Sequence, residues 1–144
     1  MPQFQQHRFA MQLAQLSRAW RAELDRRLVG LGLSQARWLV LLHLARFDTP
    51  PTQRELAQSV GVEGPTLARL LDGLEAQGLV SRQAVAEDRR AKQITLSAKA
   101  QPLIEQIEAI STQLRQELFA GIDPVELQRC QQVQERILAN LEKH

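Results

Sequence analysis

Apolar residues at Phe9, Leu13, Leu16, Trp20, Leu24, Leu28 and Leu31 recur every three or four positions. On a repeat of about 3.6 residues they draw one stripe along a long helix, and Gly30 and Gly32 predict its end. The next run, LSQARWLVLLHLARF, offers Ser34 as an N-cap and is apolar almost all round, as a helix enclosed by a core is. Pro50 and Pro51 are expected to close it. In PTQRELAQSVGV, Thr52 and Glu55 stand at capping-box spacing and Gly61 at the far end, which predicts a helix of about two turns. EGPTLARLLDGLEAQGL follows, with Pro65 suited to a first helical turn, Leu67, Leu70, Leu71 and Leu74 on one face, and Gly78 as terminator.

Two short helices joined by SVGVEG form the helix-turn-helix pattern. LVSRQAV and KQITL then alternate as strands do, around a charged tip, and predict a hairpin. Helical spacing returns after Ser97, with Leu103, Ile107, Ile110, Leu114 and Leu118 expected to share a face and Pro102 to kink the helix or mark its first turn. GIDPVELQRC restarts with Asp123 as cap and Pro124 at the first position, and Leu127, Cys130, Val133, Ile137 and Leu141 run along a last stripe. The central residues can build a core of their own. The stripes of the first helix and the last two need partners outside it, in part each other and in part a second subunit, so a homodimer held by the chain ends is expected.

At 144 residues with 44% hydrophobic and 24% charged, the chain suits a folded protein of one domain, and no apolar run is long enough to span a bilayer. The N-terminal stretch MPQFQQHRFAMQLAQL lacks the apolar core and cleavage site of a secretory signal, and a single cysteine allows no internal disulfide; both agree with the cytoplasm. The net charge is +2, but residues 51–96 hold six Arg or Lys against six acids, so a surface for a polyanion must come from placement and not from excess. Three histidines, His7, His43 and His144, and one cysteine give no zinc spacing, and no phosphate-binding glycine loop or nucleophile elbow is present. No enzyme, no metal and no cofactor are expected. Cys130 lies on the last stripe without a basic residue suitably placed except adjacent Arg129, which predicts a buried, inert thiol.

With its leucines turned inward, the fourth helix leaves Gly64, Pro65, Thr66 and Arg69 for a partner. A helix entering the major groove by its N-terminus uses this end, where free N–H groups and the dipole favour phosphate. Arg69 suits a bidentate contact to guanine, and Thr66 a phosphate or thymine methyl. The competing reading is a surface Arg69 paired with Asp72 or Glu75 at helical spacing. A hairpin following such a helix puts its tip toward the adjacent minor groove, where Arg89, Arg90 and Lys92 meet concentrated negative potential and Asp88 can brace Arg90.

DRRAKQITLSAKAQPLI is similar to the wing and following helix of the MarR (multiple antibiotic resistance regulator) family, most like its SlyA-type branch. RELAQSVGVEGPTLARLLDGLEAQGLVSR resembles the helix-turn-helix of that branch and LSQARWLVLLHL its second helix, and the order of elements fits along nearly the whole chain. The resemblance implies a mostly α fold with a small β-hairpin wing, a winged helix-turn-helix over 34–96 with dimerisation helices at 1–33 and 97–144. It implies a homodimer on pseudopalindromic DNA, with Pro65, Thr66 and Arg69 in the major groove, Asp88, Arg89 and Arg90 at the wing tip, and Lys92, Arg82, Gln53 and Arg54 on the backbone. Gly64 departs from the polar residue usual in that branch, so operator preference does not carry over. A small aromatic carboxylate as effector is also implied, with Arg18, Trp20 and Trp38 at matching positions, although both tryptophans equally suit a core. The rival from another class is a winged helix used for contact with other proteins, its wing merely solvated.

Overall fold

The computed structural model describes residues 2–85 and 88–144, and the side chains of these except at 85 and 88–90. Eight elements follow in order: α1 (Gln3–Leu28), α2 (Gln35–Ala45), α3 (Gln53–Val60), α4 (Gly64–Ala76), β1 (Val80–Val85), β2 (Asp88–Leu96), α5 (Ala100–Leu118) and α6 (Pro124–Leu141), with a 3-10 turn at Val29–Leu31 after α1. The mostly α composition with one hairpin is the one the sequence predicts. No single helix among the described residues is long and apolar enough to cross a membrane.

Local chemistry sets the boundaries. The Ser34 hydroxyl accepts from the Arg37 N–H, and the capping box at Thr52 is complete: its hydroxyl accepts from Glu55 N–H and Glu55 Oε1 from Thr52 N–H, both at 3.1 Å. The same N–H, donated to its carboxylate, holds the Glu55 carboxyl below its ordinary value. Gly61 ends α3 at φ 84°, a left-handed conformation that a side chain resists. Helix α2 stops at Ala45, earlier than the prolines suggest, because Arg46 and Phe47 N–H turn back to the His43 and Leu44 carbonyls. The prolines instead feed a short extended piece, where Thr52 bridges Gln93 and the Ile94 N–H donates to Pro51 O.

The chain forms two compact units, residues 1–112 and 113–144. The core of the first is built on α2, whose Trp38, Val40, Leu41, Leu42 and Leu44 are buried with Leu56 of α3, Leu67, Leu71 and Leu74 of α4, and Ile94 of β2. Trp38 is 1% exposed and donates its indole N–H to Asp25 of α1 at 3.2 Å. Antiparallel β1 and β2 pair Val80 with Leu96, Arg82 with Ile94 and Ala84 with Lys92, with a bulge between Ala84 and Val85. Only the second half of the α1 stripe is covered: Leu24 and Leu28 are buried, while Leu13 and Leu16 are exposed.

In α5 the buried face runs through Ala100, Ile104, Ile107, Ser111 and Leu114, which keeps Ile107 and Leu114 of the expected line and turns partly away from the rest. Leu103 and Ile110 are half-buried and Leu118 exposed. Small residues stand on this face at 100 and 111, which periodicity of large side chains does not reveal. In the second unit Asp123 caps α6 by accepting from Val125 N–H, and α6 buries none of its residues. Cys130 is therefore exposed in this chain, against the expectation of a buried thiol.

Candidate nucleic-acid interface

At about 100° per residue, Pro65 and Arg69 fall on the side of α4 opposite Leu67, Leu71 and Leu74, with Thr66 beside them. Burial agrees: Gly64, Pro65 and Arg69 are exposed and Thr66 is half-buried. The fold of α4 follows from this division, because leucines three and four apart fill the core and Pro65 occupies the first turn, where no N–H is needed. Gly64 does not hold a positive φ, and a Cβ there would meet nothing within 4 Å. The glycine is a choice of surface and not of backbone.

Beside this edge an open cleft of about 920 Å³ is walled by Thr52, Gln53 and Arg54 of the α3 start, Gly64, Arg82 and Lys92. Glu63 is its one acid among the lining residues, against the three cations Arg54, Arg82 and Lys92. The elements expected to face nucleic acid are thus brought to one place: the α3 N-terminus, the α4 N-terminus and the wing stem. The side chains of Asp88, Arg89 and Arg90 lie outside the described residues.

The carboxylates proposed as competitors for Arg69 are otherwise engaged. Arg82 Nε donates to Glu75 Oε2 at 2.9 Å and Nη2 to Asp72 Oδ1, and these two bonds raise the Arg82 pKa, Asp72 contributing first. Arg69 makes no ion pair or hydrogen bond among the described residues. Arg82, expected on the DNA backbone, lines the cleft while its guanidinium bonds to Asp72 and Glu75 of α4.

The opposite flank of α4 holds a contact that sequence reasoning missed. The Arg37 guanidinium lies against Gly73, where an added Cβ would come within 2.5 Å of Cζ, and Nη1 donates to Gln77 Oε1 at 3.0 Å. A glycine inside a leucine-rich helix was the available signal, since it costs the helix about 1 kcal/mol unless something needs the space. At the helix end, Lys99 Nζ donates to Gln77 O at 2.9 Å and Ser97 Oγ to Gly78 O at 2.6 Å, a cation on the negative end of the α4 dipole.

Of the residues matched to an effector, Arg18 is exposed, Trp20 half-buried and Trp38 enclosed with its N–H satisfied. The three are not shown around one cavity. Among the described residues no cluster of His, Cys, Asp and Glu could hold a metal ion.

A model of the MarR family matches residues 31–91, from the end of the 3-10 turn before α2 to the wing. The transcriptional regulator PA3341 is 71% identical over 94% of this chain and 99% of its own, with TM-score 0.89. MepR of S. aureus, solved as a DNA complex, is 23% identical over 92% of this chain and 97% of its own (TM-score 0.82). The transcriptional regulator SlyA is 21% identical over 94% of both chains (TM-score 0.83). The last two likenesses are of fold.

Proposed function

This chain belongs to the MarR family of transcriptional regulators, which are not enzymes, and from that premise we propose that it binds a pseudopalindromic operator as a homodimer in the cytoplasm. The observation that carries this reading is the outer edge of α4, where Pro65 and Arg69, the latter without a partner among the described residues, stand exposed beside a cleft walled by Gln53, Arg54 and Lys92. Gly64 and Pro65 allow close approach to base edges and Thr66 and Arg69 contact them. Gln53, Arg54 and Lys92 take phosphates, and the wing tip with Asp88, Arg89 and Arg90 reaches the flanking minor groove. The winged helix over 34–96 carries these contacts, while 1–33 and 97–144 pair the subunits.

The dimer is supported by apolar surface left uncovered: Leu13 and Leu16 on α1, and Val133, Leu138 and Leu141 on α6. We expect a concentration-dependent dimer in sedimentation, and Leu138→Glu to shift it toward monomer. An aromatic carboxylate as effector rests on Arg18 and Trp20, since Trp38 already serves the core.

Selecting bound fragments from genomic DNA with the purified protein gives the operator. On that fragment Arg69→Ala is expected to weaken binding about tenfold or more, with a smaller effect on random duplex. Arg90→Ala weakens both, and lowers the slope of log affinity against log salt by about one. Equal and negligible effects of the two substitutions would overturn the assignment.

A further inference from the structure

Arg82 sits on the inner side of β1, across from fully buried Ile94 and two residues from buried Val80. Its side chain is 20% exposed, with the guanidinium turned toward α4. Asp72 and Glu75, which receive it, are three residues apart on one flank of that helix and are themselves well exposed. Arg37, on Gly73 and Gln77, holds the other flank.

Two functions compete for Arg82. As a phosphate contact it would add to affinity for any sequence, and its acidic neighbours would oppose DNA. As a brace it would be spent inside the protein, with the acids as its sockets. The geometry favours the brace: Nε and Nη2 go to different carboxylates, and a planar fork held at two points fixes both the distance and the roll of α4 relative to β1. Acids this near a polyanion are tolerable when a guanidinium already occupies them.

We propose that Arg82 is a positioning residue that locks the wing to the recognition helix, so that major-groove and minor-groove contacts are made in one register. This rests on the DNA-binding reading above and assigns a role that reading does not need. Removing Asp72 and Glu75 takes negative charge away from the DNA face, which by electrostatics alone strengthens binding; if the acids hold Arg82, removing them weakens binding at the operator.

The test uses fluorescence anisotropy on the genomically selected fragment and on random duplex of equal length. The proteins are wild type, Arg82→Gln, the pair Asp72→Asn with Glu75→Gln, and all three together. We expect Arg82→Gln and the acid pair each to lose about tenfold on the selected fragment and less than about twofold on random duplex, with the triple variant no worse than either. The salt slope stays that of wild type. Tighter binding by the acid pair, or a slope reduced by about one in Arg82→Gln, overturns the brace while leaving DNA binding intact. A wild-type protein that selects no fragment removes the DNA reading and the brace together. The acid substitutions lie at exposed positions, so the comparison does not depend on Arg82→Gln remaining fully folded.

Discussion

Gly73→Ala is the substitution that tests the packing of α4 most sharply, because two effects of similar size oppose each other there. Inside a helix, alanine is better than glycine by about 0.8–1.0 kcal/mol. At this site the new Cβ would fall within 2.5 Å of the Arg37 Cζ, so the guanidinium must leave. It is the end of a flexible side chain and can swing out without moving backbone, at the loss of its 3.0 Å bond to Gln77 and its contact with the helix. A charged hydrogen bond half in water is worth about 1–1.5 kcal/mol. In the natural background the two terms largely offset each other, and Gly73→Ala changes stability by less than about 0.7 kcal/mol. With Arg37→Ala already present nothing remains to be displaced, and the same substitution stabilises by about 1 kcal/mol. Urea unfolding of the four proteins at one protein concentration, followed by circular dichroism, reads the coupling of about 1 kcal/mol directly, provided the m-values agree. An alanine that stabilises equally in both backgrounds would show that Arg37 does not occupy the space Gly73 leaves.

Thr52→Ala removes the cap of α3 and one half of the capping box, and is expected to lower stability by about 1 kcal/mol in the same unfolding assay. His43 is half-buried, with Nδ1 2.8 Å from Ser59 Oγ, and burial first, then Arg46 and Arg21, lowers its pKa below the ordinary 6.5. Between the two values the unfolded chain binds more protons, so the stability this neutral ring permits is present above 6.5 and lost as pH falls. His43→Gln should flatten the fall in urea midpoint between about pH 7.5 and 5.5; a slope unchanged by the substitution counts against this origin.

What the sequence made legible is what local chemistry decides. Thr52 with Glu55, Ser34, Asp123 with Pro124, and Gly61 all act where they were expected, since a cap needs only neighbours a few residues away. Helix faces were less legible where large apolar residues stand side by side. Leu103 and Ile104 both fit a stripe through Ile107, and only the folded chain selects Ile104, which is buried on the same face as Ala100 and Ser111. The site divides the same way. Arg69 and Pro65 could be placed by subtracting the leucines of their own helix. The partners of Arg82 come from another element, and Arg37 and Gln77 are 40 residues apart, so no spacing rule connects them. The exposed Cys130 shows the converse: an apolar stripe predicts that a face wants covering, not that one chain covers it.

Gly64 gives this arrangement an evolutionary consequence. The position stands at the leading end of the helix proposed to read bases, with no left-handed φ and, apart from its chain neighbours, nothing within 4 Å of an added Cβ. A single codon change can therefore install a new base-reading group without disturbing cap, core or wing. Such a site lets duplicated regulators drift to separate operators while their folds stay interchangeable. It also marks the first residue to vary when retargeting the protein to a chosen promoter.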